Sequence, residues 1–153
     1  KARRYEHARR LFVTALRLVP GYTHAISNLG NAFALQGRSR EAMVAFAPLF
    51  DLGDWDTLLS TIPGLKRVLA DDPENAEARR YLSRALRVRG DLHEARRLIE
   101  ALLPDATTDS AAATTWQEYR EIGRAFLGMG MTQDASAIFD RIPVQPPSAL
   151  RER

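Results

Sequence analysis

The chain has 153 residues, 45% of them hydrophobic and 27% charged, with a net charge of +3 at neutral pH. Such a composition fits a globular core of ordinary size and excludes disorder throughout. It contains no cysteine, which excludes disulfides and thiolate metal sites but fits any compartment, and its longest nearly uncharged run, Ala42 to Phe50, is far too short to span a membrane.

Apolar spacing and helix punctuation predict helices at about 2–19, 23–36, 39–50, 76–89, 91–103, 112–128 and 132–142. Thr23, Asn75 and Thr132 precede three of them as N-caps, and Asp91 with Glu94 has the spacing of a capping box. Gly37, Gly90 and Gly130 fall between paired helices, where a residue of positive φ is commonly needed.

A pattern recurs along the chain. Leu29-Gly30 is followed by Phe33, Gly37 and Ala42-x-x-x-Phe46. Its second half stands 34 residues upstream as Ala8-x-x-x-Phe12, followed by Pro20. It returns as Leu82-Ser83, Leu86, Gly90, Ala95-x-x-x-Ile99, and again as Ile122-Gly123, Phe126, Gly130, Ala135-x-x-x-Phe139 with Pro147 beyond. In spacing and residue type this resembles the tetratricopeptide repeat, a helix-turn-helix unit of about 34 residues. The resemblance implies an all-α, right-handed α-solenoid, or superhelix, of antiparallel helix-turn-helix units. The expected organisation is the second helix of a truncated unit at 1–22, a repeat at 23–54, an irregular helical unit at 55–75, repeats at 76–109 and 110–149, the last with an extended first helix, and a tail at 150–153. The chain reads as a fragment of a longer array, in the style of bacterial ones.

The spacing from Leu29 to Leu82 exceeds the period by 19 residues, so an insert lies at Trp55 to Asp72. Its apolar residues Trp55, Leu58, Leu59 and Ile62 keep helical spacing, Pro63-Gly64 interrupts, and Leu65, Val68 and Leu69 resume. Two short helices preserve the direction of the helices that follow, which one helix would reverse; a single Pro-kinked helix is the alternative. Trp55 is either core or an exposed anchor, and the apolar spacing that it begins favours core. The six extra residues before Ile122 belong to Thr107 to Thr115, a longer loop or an extension of the next helix.

Close helix crossing needs small side chains, which accounts for Gly30, Ser83 and Gly123 and for Ala8, Ala42, Ala95 and Ala135. Phe12, Phe46, Ile99 and Phe139 on second helices, with Phe33, Leu86 and Phe126 on first helices, form the expected core. Because these positions recur in every unit, they read as architecture and not as a ligand box.

In repeats of this kind the first helices line a concave face that binds an extended peptide or a partner helix. The polar residues that this resemblance turns outward are His24, Ser27, Asn28 and Asn31, then Glu77, Arg80, Tyr81, Arg84 and Arg87, then Gln117, Arg120, Glu121 and Arg124. Arg80, Arg84 and Arg87 follow i, i+4, i+7 spacing and Arg120 and Arg124 follow i, i+4, which places each set on one helix face. Such stripes suit an acidic protein or peptide partner, or else form solvated faces with pairs such as Glu77 to Arg80 or Arg84. Asn28, Asn31, Arg80, Arg84, Arg87, Arg120 and Arg124 are the candidate contacts. Asn28 and Asn31 match the asparagines of the family's carboxylate clamp, whereas Ser27 and Glu77 stand where it has lysine, against a chaperone-tail ligand.

The basic excess is almost all arginine, 20 against Lys1 and Lys66. Arginine favours carboxylate and phosphate ligands, although a GC-rich genome produces the same bias. The stripes lack the interleaved aromatics that stack on bases, and the acidic stretch from Asp51 to Glu77 opposes nucleic acid. His7, His24 and His93 are dispersed, with no metal-ligand spacing, and no glycine loop suits a phosphate, so neither metal nor cofactor is expected. The leading expectation is a non-catalytic interaction scaffold within a larger protein, of the sort used in bacterial envelope, secretion or exopolysaccharide-export assembly. The alternatives are a substrate-recruiting segment of a larger enzyme such as a glycosyltransferase, and an Arg-rich nucleic-acid binder. Dimerisation through apolar ends is a further expectation, and the compartment is left open between cytoplasm and periplasm.

Overall fold

Helical hydrogen bonding accounts for all regular structure that the computed structural model describes, which covers residues 2–19, 22–52, 55–103 and 110–143. The helices are α1 (Ala2–Leu18), α2 (Thr23–Leu35), α3 (Ser39–Leu52), α4 (Trp55–Ser60), α5 (Ile62–Asp71), α6 (Ala76–Arg89), α7 (Leu92–Glu100), α8 (Ser110–Gly128) and α9 (Thr132–Phe139). They form two compact units, 1–98 and 99–153. The fold class is all-α, an α-solenoid of helix-turn-helix units. Pro20, Pro147, the tail 150–153, both chain ends and the side chain of Ala8 lie outside the described residues.

The same turn closes three helix pairs. Gly37, Gly90 and Gly130 have φ of +70°, +94° and +75°. The next residue then donates its N–H back across the turn: Arg38 to the Phe33 carbonyl, Asp91 to Leu86 and Met131 to Phe126, each at 2.9 Å. This 6→1 bond satisfies carbonyls that the helix end leaves open. Its acceptors are the recurring first-helix apolar residues, so one position both fills the core and sets the turn.

Small residues admit the rings of the second helix. A Cβ at Gly30 would lie 2.8 Å from Phe46 Cδ1, and one at Gly123 would lie 2.9 Å from Phe139 Cζ. At the equivalent Ser83 the hydroxyl instead donates to the Ala95 carbonyl at 2.9 Å. Phe46, Leu86, Ile99 and Phe126 are fully buried as expected. Phe12, Phe33 and Phe139 are only half-buried. The Phe33 ring is capped by the Arg38 guanidinium, 4.5 Å from its centroid.

The insert is two helices, and the break falls at Thr61, two residues before Pro63-Gly64. Pro63 sits in the first turn of α5, where its missing N–H removes nothing. Side chains stitch the break. Ser60 Oγ donates to the Thr57 carbonyl at 2.6 Å and Thr61 Oγ1 to the Leu58 carbonyl at 2.7 Å. Two further backbone groups are met from α2. Asn31 Nδ2 donates to the Ser60 carbonyl at 2.8 Å, and Asn31 Oδ1 accepts the Gly64 N–H at 2.9 Å. Gly64 is the third residue of α5, so its amide precedes the first intrahelical bond, Leu65 to Thr61. Asn31 therefore caps a helix 33 residues away. The insert seats between the repeats, with α5 packed on α2 and α6, and α4 on the same two helices.

Other sequence expectations are corrected. Trp55 is 63% exposed, not core. Thr57 and Leu58 are the buried residues of α4, and at 100° per residue their mean direction lies about 110° from Trp55. Thr23 and Thr132 are first helical residues, and the preceding Tyr22 and Met131 make no side-chain cap; Asn75 caps α6, accepting the Ala78 N–H at 2.9 Å. At the expected capping box, Asp91 is engaged by Arg89, and Glu94 reaches Lys66 of α5 at 3.2 Å. Before Ile122, by contrast, the expected extension of the first helix is present from Ser110 onward, with 104–109 outside the described residues.

Gly30→Ala and Gly64→Ala should each destabilise the protein by about 1–3 kcal/mol, since Phe46 must move and Gly64 also abuts Asn31. Gly128 is the control, a helical residue at which a Cβ would meet nothing within 4 Å. Gly128→Ala should be neutral or raise stability by up to about 1 kcal/mol in the same urea titrations.

Candidate partner-binding face

Each first helix turns some of its candidate residues outward and spends others inside the fold. On α2, His24 and Asn28 are exposed. Ser27 is fully buried with its Oγ 2.5 Å from Ser60 Oγ. Because the Ser60 hydroxyl already donates to Thr57, Ser27 is the donor in this pair. Asn31 is half-buried and commits both ends of its amide to the α4–α5 break, so it is architectural.

On α6 the three arginines divide. Arg80 and Arg87 are half-buried and engaged within the protein, whereas Arg84 is exposed. Its guanidinium lies 5.9 Å from the centroid of the Phe50 ring. Phe50, buried on α3, also stacks on Tyr81, with centroids 4.3 Å apart and planes 5° from parallel. Tyr81 OH donates to Glu77 Oε1 at 2.9 Å, so Glu77 serves the tyrosine where an arginine was expected. Tyr81 is thus packed, not outward. Arg84 is left as a cation propped on an aromatic ledge, with a ring and no carboxylate beside it among the described residues.

In the second unit the stripe on α8 is tied into a network along its own helix. Arg124 pairs with Glu121 at 2.7 Å, Gln117 Nε2 donates to Glu121 Oε1 at 3.0 Å, and Arg120 donates to Gln117 Oε1 at 3.2 Å. These are exposed i, i+3 and i, i+4 contacts, each worth only a few tenths of a kcal/mol. Arg124 remains solvent-facing and Arg120 half-buried.

The sequence pattern does not reveal a polar cluster in this unit. Tyr119 is fully buried and donates to Glu100 Oε1 at 2.7 Å; the same oxygen accepts from Arg141 at 3.0 Å. Trp116 meets the Tyr119 ring edge-on at 6.1 Å. The apolar spacing of Ala112, Tyr119, Ile122 and Phe126 marks the buried side of α8, and is the signal that could have found it.

Among the described residues no group of His, Cys, Asp and Glu can hold a metal ion, and no helix is long and apolar enough to cross a membrane. Helical hairpins packed through recurring small residues define an α-helical repeat architecture. The family model of the tetratricopeptide repeat matches residues 60–115, so that stretch, from the end of α4 into α8, is a tetratricopeptide-repeat segment. Segments of this family are in general protein-interaction scaffolds and generally non-catalytic. A comparison with curated proteins finds no match.

Tyr119→Phe should lower stability by about 1–2 kcal/mol in urea unfolding, because the buried end of Glu100 loses a hydrogen bond while keeping Arg141.

Proposed function

We propose that the chain is a non-catalytic scaffold that binds an acidic segment of a partner protein along the outward side of α6, with Asn28 of α2 as a further contact on the first unit. The observation that carries this reading is Arg84. Its exposed guanidinium rests on Phe50, whose ring is fixed by the stack with Tyr81. A propped guanidinium has fewer rotamers to lose on binding and offers its donor fork to a carboxylate. Arg80 and Arg87 flank it on the same helix and raise the local positive potential. On α8, Arg120 and Arg124 form a second, weaker basic surface, because a partner's carboxylate competes there with Gln117 and Glu121.

The test is titration of a glutamate-rich peptide into wild type, Arg84→Glu and Arg124→Glu, followed by calorimetry. Arg84→Glu should weaken binding at least about tenfold with an unchanged thermal melt, and Arg124→Glu should weaken it several-fold less. Equal binding by wild type and Arg84→Glu would remove α6 as the binding face.

A further inference from the structure

We propose a second docking surface, at the junction of α3 and α4, where Trp55 receives a basic side chain from a partner protein. Trp55 and Leu52 are 63% and 57% exposed. They are three residues apart, so their Cα atoms lie within about 11 Å of each other whatever the path between them. Exposed large apolar side chains that lie together can mark an interaction site, and tryptophan is among the residues most enriched in binding hot spots. Trp55 is not a displaced core residue. Thr57 and Leu58 already fill the inward side of α4, and the break after Ser60 is closed by Ser60, Thr61 and Asn31.

The charge around the tryptophan selects the occupant. Asp51 adjoins Leu52 in the chain and is exposed. Asp56 adjoins Trp55 in the chain and is exposed. A tryptophan face attracts cations through its quadrupole, and a neighbouring carboxylate adds to the attraction and supplies a hydrogen-bond acceptor. Leu52 provides apolar contact for the aliphatic stem of an arginine or lysine. The occupant is therefore a partner segment that alternates basic and apolar residues. This chemistry is opposite in sign to that of the Arg84 face, so acidic and basic peptides tell the two surfaces apart.

The probe is an acetylated peptide of alternating arginine and leucine, with a control in which glutamate replaces arginine. The readout is the Trp55 indole N–H resonance, assigned by its loss in Trp55→Phe. The arginine peptide should shift this resonance saturably, the glutamate peptide should not, and Arg84→Glu should leave the response unchanged. Asp56→Lys should raise the dissociation constant about tenfold and flatten its salt dependence, and Trp55→Ala should abolish binding as followed by calorimetry, both with unaltered melts. Absence of a saturable shift at millimolar peptide, an equal response to the glutamate peptide, or indifference to Asp56→Lys would each overturn the proposal. So would a Trp55 shift that follows protein concentration alone, which would make the occupant a second copy of this chain.

Discussion

The fold of the first unit turns on the seat of the Phe46 ring. It enters from α3, lies against both Gly30 of α2 and Gly64 of α5, and leaves no room for a Cβ at either. A ring held this way gives a close crossing of three helices at once. The dispersion attractions that result are individually small but add up in a dense core, and nearly any change in volume at the three positions disturbs them. The close approach of α5 also brings the Gly64 amide within reach of Asn31, whose side chain accepts a hydrogen bond that the start of α5 would otherwise leave unmade. Packing and hydrogen bonding here depend on the same glycine.

That seat explains how an irregular insert is accommodated by a regular array. A pair of short helices cannot bury much surface by itself, and the break at Thr61 leaves polar backbone groups that would be costly if unmet. The first-helix positions Ser27 and Asn31 are four residues apart and so share a face. In this unit that face is turned to the insert, and it supplies hydrogen bonds that α4 and α5 lack. Asn28, one step round the helix from Ser27, remains in solvent and available to a partner.

Whatever recurs is legible in the sequence. Glycine at Gly37, Gly90 and Gly130 and the small residues Gly30, Ser83 and Gly123 answer the same steric demand in each unit, so comparison within the chain exposes them. Asn31 escapes that comparison because its partners, Ser60 and Gly64, lie in the stretch that breaks the period, and a polar residue on a first helix otherwise looks like a ligand contact. The spacing of Trp55 to Leu58 and Leu59 fits a helix and so points inward. Which side of that helix faces in is decided by Thr57, a residue that hydropathy alone does not place in a core. Nor does the arginine spacing on α6 distinguish its three members. Their separation into half-buried Arg80 and Arg87 and exposed Arg84 involves Phe50, on a different helix.

Exchange of the Gly64 amide tests the central interaction most directly. Measured by NMR, this first-turn amide should be protected in wild type to a degree comparable with Leu65, which bonds within its own helix. In Asn31→Ala it should lose that protection while Leu65 retains its own, since the only change at Gly64 is removal of the side-chain acceptor. Free-peptide exchange of Gly64 in wild type, or protection that survives Asn31→Ala, would contradict the account of how α2 holds the insert.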